Sequence, residues 1–478
     1  MKKVIEPQKE LEVLAEADVV VVGGGPGGIG AALASARNGA KTILIERYSF
    51  LGGMQTQCGN PSFAFIDSAV QGGIIQDVLR RLRTGGAVTI DQTDEQSRRI
   101  RTHGWACAWF DPEHYKYILD TMMLESGVKL LYHAFGAGAI KEGNAIKGIV
   151  VESKEGRQVV SGKVFIDTTG SADIAWKSGT PCASEGIPEG AKKGRHSDYS
   201  YSFFLREVDF DKFREFRKTH PDDFTGGTIA RELIKKAKAE GKLHGNRGAF
   251  MISGYSGMGR LWVMGPQYPL KMGHHGWKVE DLTVGEIDLR KQAWSAYQLL
   301  RDNVGGFESA HMDLTPFHLQ LRDTHRIIGE YVMKYEDVKA GKTFDDAIAV
   351  NNMSPDVFGA DAEHAHTQNL PLFDIPYRAL VPKETENLLA AGMVISTDFI
   401  TQNAIRQTTP SICTGQAAGT AAALAVKTNV TPRKLDVELL QKTLRKQGVR
   451  VTAREVPADI VDTYRKRAAE AITVSLAP

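Results

Sequence analysis

Cysteine is scarce in this chain of 478 residues, with four in all: Cys58, Cys107, Cys182 and Cys413. None forms a CxxC pair, which argues against a structural zinc site, and no metal is expected. Their scatter argues against a disulfide framework and fits a reducing compartment. An excess of charge of one sign is also missing. Lys plus Arg number 59 against 57 for Asp plus Glu, a formal charge of +2. That balance gives no general attraction to nucleic acid or to an anionic membrane surface. No apolar run reaches the roughly eighteen residues that would suggest a membrane span. Met1 to Glu10 holds no apolar stretch of the kind a signal sequence needs, so a cytoplasmic location is expected. No internal repeat is visible.

Glycine, by contrast, is plentiful, with 48 residues. The glycines cluster in loops, where they suggest backbone approaching a ligand. The length predicts two or three domains. The β-branched run Asp18-Val19-Val20-Val21-Val22 reads as a strand buried on both faces. Gly23-Gly24-Gly25-Pro26-Gly27-Gly28 follows directly. Gly30 to Ala40 reads as an Ala-rich helix packed closely on a sheet and stopped at Gly39. Lys41 to Ile45 is a second strand, ending in Glu46.

This is a βαβ unit with a dinucleotide fingerprint, and each part has a physical reason. Gly23 allows the tight turn, Gly25 admits a pyrophosphate close to the backbone, and Gly28 lets helix and strand pack together. N–H groups at the helix start, with the helix dipole behind them, favour phosphate. Glu46 can accept from both hydroxyls of an unphosphorylated ribose and would repel a 2′-phosphate, which argues against NADP. Only one such fingerprint is present, so no separate NAD domain is expected.

Farther along, Val128–His133, Ile146–Glu152 and Arg157–Ser161 predict a three-stranded antiparallel meander, with turns at 142–144 and 154–156. Val164 to Asp167 reads as another buried strand, followed by Thr168-Thr169-Gly170. Residues 180–370 are less regular. They carry helical candidates over Thr228–Gly241 and Leu289–Val304 and most of the aromatics and histidines. Asn387 to Gly392 reads as a strand running into a glycine, Gly415 to Val426 as an Ala-rich helix, and the charged tail from Arg433 as helical. The basic stretch Lys427 to Arg454 reads as a solvated helical surface.

Several of these segments carry a family resemblance. Leu51-Gly52-Gly53-Met54 looks like the segment that follows the ribose acid in many FAD proteins. Asp167-Thr168-Thr169-Gly170-Ser171-Ala172-Asp173 resembles the second FAD motif. Ile375–Pro382, Asn387–Gly392 and Gly415–Ala422 are similar to the closing motif of a bacterial and archaeal group of FAD-dependent oxidoreductases, distantly related to the fumarate reductase and glutathione reductase flavoproteins. Arg322 to Tyr331 (RDTHRIIGEY) looks like the group's RESRRIIGEY-type segment.

The resemblance implies an α/β fold, with a Rossmann-like FAD-binding domain made of a parallel sheet plus an antiparallel meander, and an inserted α+β substrate domain. FAD binding falls to 1–60, 125–180 and 376–430, the substrate or cap domain to 61–124 and 181–375, and a helical tail to 431–478. The implied cofactor residues are Gly23, Gly25, Pro26, Gly27, Gly28, Glu46, Arg47, Gly53, Met54, Gly136, Thr169, Gly170, Asp173, Gly392, Asp398, Gly415, Gln416 and Ala417. Asp398 or its neighbours would contact the ribityl chain or the pyrophosphate.

Flavin redox chemistry needs negative charge stabilised near N1 and C2=O, and a helix N-terminus supplies partial positive charge without titrating. The helix expected to start near Gly415-Gln416-Ala417 is the candidate. Arg322, His325 and Arg406 are the catalytic candidates, as anion-positioning groups and, for His325, as a general base. A competing reading makes Arg322 and Asp323 an ion pair holding two domains together. The resembled group generally has Arg or Ser around positions 324 and 325, where this chain has Thr324 and His325. Cys58 has no second cysteine nearby for disulfide exchange, and packing is the favoured reading over a thiol at the flavin. His274-His275, between glycines, suggests a lid or site loop. Metal chelation by that pair or by His364 and His366 is disfavoured against solvated loops.

The function expected is an FAD-dependent oxidoreductase moving a hydride between a small polar organic substrate and flavin N5. The alternatives are an FAD monooxygenase or a flavoprotein subunit of a larger redox complex. The electron acceptor, the substrate and any homo-oligomeric state are not legible in the sequence.

Overall fold

The computed structural model describes residues 4–91, 107–186, 193–224, 228–245, 248–255, 260–271, 273–357 and 370–475. In chain order, the elements that position the site are β1 (Val13–Val22), α1 (Pro26–Arg37), β2 (Thr42–Ile45), β3 (Lys129–Leu131), β4 (Phe135–Glu142), β5 (Ala145–Ser153), β6 (Gly156–Asp167), α2 (Asp173–Lys177), β7 (Tyr199–Arg206), β8 (Phe250–Tyr255), β9 (Arg260–Tyr268), α3 (Val279–Asn303), β10 (His311–Leu314), β11 (Leu388–Ala390), α4 (Phe399–Ile405) and α5 (Thr408–Thr428).

Val19 to Val22 and Thr42 to Ile45 are buried on both faces, as continuous apolar strands in a covered parallel sheet should be. The main sheet runs β3-β2-β1-β6-β5-β4, with β11 also paired to β6. β1, β2, β3 and β11 join through parallel pairs, Val20 against Ile43 and Phe165 and Leu388 against Phe165 among them. β4, β5 and β6 form the antiparallel meander. The fold is therefore α/β, with a parallel sheet extended by a meander.

Two details differ from the sequence expectation. The segment around 128–133 is a parallel edge strand beside β2, and the meander begins instead at Phe135. Phe135 to Ala139, rich in glycine and alanine, pairs antiparallel with β5 with a register shift between Gly136 and Gly138. The two strands expected over 157–161 and 164–167 are one continuous strand of 12 residues, β6. Gly162 sits inside it because a Cβ there would lie 2.7 Å from a Val20 methyl.

α1 and α5 cross the face of this sheet in close contact. A Cβ on Gly415 would sit 2.1 Å from the Gly27 carbonyl oxygen, and one on Gly419 2.0 Å from that of Ala31. Backbone meets backbone here, which only glycine permits. Within the expected cap stretch 181–375, residues 199–319 form their own apolar core from β7, β9 and α3, including Tyr201, Phe203, Val263 and Leu300, whereas Met333, Val338, Ile348 and Phe373 join the main core. The other expected cap stretch, 61–124, differs: Phe63, Leu79, Phe110, Tyr115 and Met122 share the core of α1 and α5. The cap sheet has the order Thr228–Ile229, β8, β9, β7, β10 and is antiparallel throughout. Among the described residues no helix is long and apolar enough to cross a membrane.

Candidate functional site

One elongated cleft runs from the end of β1 to the start of α5, with about 1040 Å³ of empty space, part of it open to solvent. At its first end β1 delivers the glycine loop. Gly23 has φ +104, and a Cβ there would meet the Thr168 carbonyl oxygen at 2.5 Å, so the turn requires glycine. α1 starts at Pro26, four residues earlier than expected. Its N-cap, Gly25, offers no side-chain cap, so the first N–H groups of the helix face the cleft uncapped. Gly28 lies behind the loop, where a Cβ would overlap the Gly23 carbonyl oxygen at 1.8 Å.

Glu46, at the end of β2, is 5 % exposed and lines the cleft. Its Oε2 accepts from Gly24 N at 2.6 Å and its Oε1 from Tyr48 N at 2.9 Å. Burial pushes its carboxyl up, and those N–H groups together with Arg47 oppose the rise. Asp167, fully buried at the end of β6, accepts from the N–H groups of Thr169, Ile174 and Ala175. It thereby shapes the Thr168–Asp173 wall.

Gly23, Gly25, Pro26, Gly27, Glu46, Arg47, Gly53, Met54, Gly136, Thr169, Gly170, Asp173, Gly392 and Arg406 all line this one cleft, drawn from separated pieces of chain. The other expected residues lie elsewhere. Asp398 caps α4 by accepting from Thr401 N at 2.7 Å and also accepts from Tyr335 N at 2.9 Å. Gly415 and Ala417 are in the middle of α5, where Gly415 serves helix contact. Gln416 Oε1 accepts from Ile74 N at 2.8 Å.

The expectation that a helix begins near Gly415 is thus corrected: it begins at Thr408. The cue was missed because Thr408 and Thr409 are poor helix formers, whereas Pro410 is tolerated in a first turn. The N-cap, Gln407, makes no side-chain cap. Thr408 and Ser411 line the cleft, so the N-terminal turn of α5 faces it.

Arg406, directly before that turn, donates to Asp356 Oδ2 at 3.0 Å and to the Asp356 carbonyl at 2.6 Å. Arg322 and His325 do not line the cleft. Arg322 donates to the Asp198 carbonyl at 3.2 Å and to Gln320 Oε1 at 3.3 Å. Asp323 takes His196 and Ser197 N rather than serving as the expected partner of Arg322. His325 is 2 % exposed and lies between two tryptophan rings. The general-base expectation for it is corrected accordingly: the ring is packed between the indoles and does not line the cleft. A Cβ on Gly276, in the His274-His275 loop, would lie 3.0 Å from Leu321 Cδ2, and Leu321 lines the cleft. His364 and His366 lie outside the described residues. Among the described residues no group of three or more His, Cys, Asp or Glu is arranged to hold a metal.

Sequence reasoning missed Gln57 and His318, which line the cleft beside Met54 and Leu321. His318 Nδ1 lies 2.7 Å from the Leu319 carbonyl and so donates to it. Nε2 is then the lone-pair nitrogen; it lies 3.1 Å from Gln57 Oε1, so it pairs with Gln57 only when that amide is turned to present its N–H. Burial, and secondarily the Arg47 charge, pull the His318 imidazole down to about 4, so it is neutral at pH 7. Cys58 Sγ is 3.3 Å from His318 Nδ1, and burial pushes the thiol well above its ordinary value. The thiol is therefore protonated and packed. A lone histidine 260 residues from Cys58 leaves no local pattern that a sequence could show.

An uncapped phosphate-type helix start, a buried ribose-type acid and a second helix N-terminus at the far end define a dinucleotide-binding flavoprotein site. The chain belongs to the FAD dependent oxidoreductase family, whose model matches residues 18–444. FAD is its cofactor. Among curated proteins it is similar to a thiamine thiazole synthase of Methanococcus maripaludis, 26% identical over 165 residues, 33% of this chain and 57% of the relative. It is 30% identical to a digeranylgeranylglycerophospholipid reductase of Methanocaldococcus jannaschii over 164 residues, 32% of this chain and 38% of that protein. The chain thus spans less than two thirds of the length of these relatives. Among solved structures, a geranylgeranyl bacteriochlorophyll reductase-like protein of Thermoplasma acidophilum aligns over 96% of this chain and 98% of its own, with TM-score 0.47 and 11% identity.

Proposed function

We propose that the chain is an enzyme that oxidises or reduces a small polar organic substrate at the closed end of the cleft, bounded by Gln57, His318, Leu321, Arg406 and Thr408. The observation that carries this reading is that one neutral histidine, one buried guanidinium and one helix N-terminus all line the same cleft. In this reading FAD lies along the cleft, with the α1 N-terminus and the glycine loop against its phosphates and Glu46 toward the adenosine ribose. When bound, it supplies the two-electron centre at flavin N5.

The chain's own groups supply the rest. The α5 N-terminus and Arg406 favour negative charge at the closed end. Arg406 is held in place by Asp356, so its field is directed without freedom to swing. His318 Nε2, fixed by the Nδ1 contact to the Leu319 carbonyl, accepts or returns the substrate proton. Residues 199–319 reach the cleft through His318, next to Phe317, whose N–H donates to the Gln57 carbonyl at 2.7 Å.

Anaerobic mixing of the holoprotein with small acids, alcohols and sugars, followed by bleaching of the flavin absorbance, identifies the substrate. With it in hand, His318→Asn should retain FAD and slow bleaching by about a hundredfold, the ordinary worth of a positioned acid–base group. Unchanged bleaching in that variant would remove His318 from the chemistry.

A further inference from the structure

Residues 321–326 run between the cofactor-binding part and the cap, and a column of rings is built on them. The indole of Trp176, on α2, stacks on His325 with centroids 4.0 Å apart and planes within 7°. Trp277, from the cap loop, covers the other face of His325 at 4.1 Å. His275 continues the column at 4.4 Å from Trp277. Trp176 is 51 % exposed, whereas His325 is 2 % exposed. Neither ring nitrogen of His325 has a hydrogen-bond partner among the described residues.

This column bears on the cofactor cleft. One residue before His325, Thr324 Oγ1 donates to the Gly170 carbonyl at 3.0 Å, and Gly170 is cleft wall. Leu321, four residues before His325, is also cleft wall, and a Cβ on Gly276 of the cap loop would meet both Leu321 and Thr324, at 3.0 and 3.1 Å. α2 itself begins at Asp173, another lining residue. Thr324 and α2 thus tie the column to the wall at Gly170 and Asp173.

The charged surroundings give a protonated His325 no partner. On its own segment Arg326 pairs with Glu185, and Asp323 is taken by His196 and Ser197 N. From the cap, His196 and His275 face it, linked to each other at 3.1 Å, and both would add like charge. The remaining charges on those cap segments are paired or turned away: Arg195 with Asp198, and Asp281 holding His275 N with His274 alongside. Lys278 donates to the Gly273 carbonyl. On α2, Asp173 lines the cleft and Lys177 lies over Phe135.

We propose that the Trp176–His325–Trp277 column is a clasp that holds the Gly170 wall against FAD only while His325 is neutral, so that acid reversibly loosens the cofactor. His325 is on this view a positioning residue for FAD. The direction of its titration agrees: burial, together with His196, His275 and Arg326, lowers the imidazole to about 4. A group whose proton is excluded from the clasped state but accepted in the open state shifts the equilibrium toward open as pH falls through the ordinary histidine range.

The inference rests on the cleft being the FAD site, and the experiment separates the two. FAD dissociation constants are measured by flavin fluorescence on apoprotein at pH 7.5 and pH 4.8, with intrinsic tryptophan fluorescence recorded in parallel and circular dichroism confirming the fold. At pH 7.5, Glu46→Gln should weaken binding; unaltered binding there would count against the cleft itself. In the wild type, the constant should rise about tenfold or more between the two pH values and recover on return. His325→Phe keeps a stacking ring without a proton, and His325→Asn is a smaller neutral substitute should phenylalanine not fit. Either variant should hold the rise below about threefold. Parallel pH dependence in wild type and variant, or no dependence in the wild type, would overturn the clasp.

Discussion

At the scale of single residues, Glu46 is the most exacting position in the cofactor-binding part. Both its oxygens already accept from backbone N–H groups, and it is nearly inaccessible. Glutamine would turn one acceptor into a donor facing another donor. Leaving one buried N–H unsatisfied costs about 1–3 kcal/mol. Glu46→Gln should therefore weaken FAD binding by roughly tenfold to a hundredfold in a fluorescence titration at neutral pH. Asp398 makes a contrasting prediction. It caps α4 and does not line the cleft. Asp398→Ala should cost about 1 kcal/mol in urea unfolding of the apoprotein, with no direct loss of a cofactor contact.

At the scale of elements, the contact of α1 with α5 sets the shape of the site. The Gly27 carbonyl, in the cofactor loop, is the atom that a Cβ on residue 415 would strike. Gly415→Ala should destabilise the chain by about 1–3 kcal/mol, the usual penalty of overpacking, and should also weaken FAD binding, because relief requires moving Gly27. Denaturant titration of apo and holo forms reads both effects. Elements also show why legibility was uneven. β1, the glycine loop and β2 announce themselves because one strand pattern, one turn and one acid follow each other within thirty residues. α5 was recognised by its alanines but entered too late, since its first turn is threonine and proline. His318 was not legible at all. Its role comes from a cap segment folding back on Gln57, and nothing near it in sequence marks that contact.

At the scale of the whole molecule, two histidines, one buried and one half-buried in the cleft wall, shape the response to acid. His318 and His325 are each lowered to about 4 from an ordinary value of 6.5. The unfolded chain therefore takes up protons at higher pH than the folded one, and these two groups lower stability as pH falls from 6.5 toward 4. Burial raises Glu46, Asp167 and Asp173, which act in the opposite sense over the carboxylate range. The histidine contribution is isolated by comparison. The melting temperature of the apoprotein should fall less between pH 6.5 and pH 5 in His318→Asn than in the wild type. Equal falls in the two proteins would show that His318 does not bear on acid stability.

β6 carries a last consequence, one of timing. Its first half hydrogen-bonds to β5, made just before it, and its final residues await β11, which leaves the ribosome more than two hundred residues later. β1 likewise waits for β6, across about 140 residues. Contacts of such sequence separation form slowly. A nascent chain halted before residue 388 would hold the glycine loop and Glu46 beside an open sheet edge and would lack the entire closing helix, α5. Cofactor capture is thereby deferred until β11 and α5 have been made, and during that interval the unpaired edge of β6 is the surface a chaperone would be expected to shield.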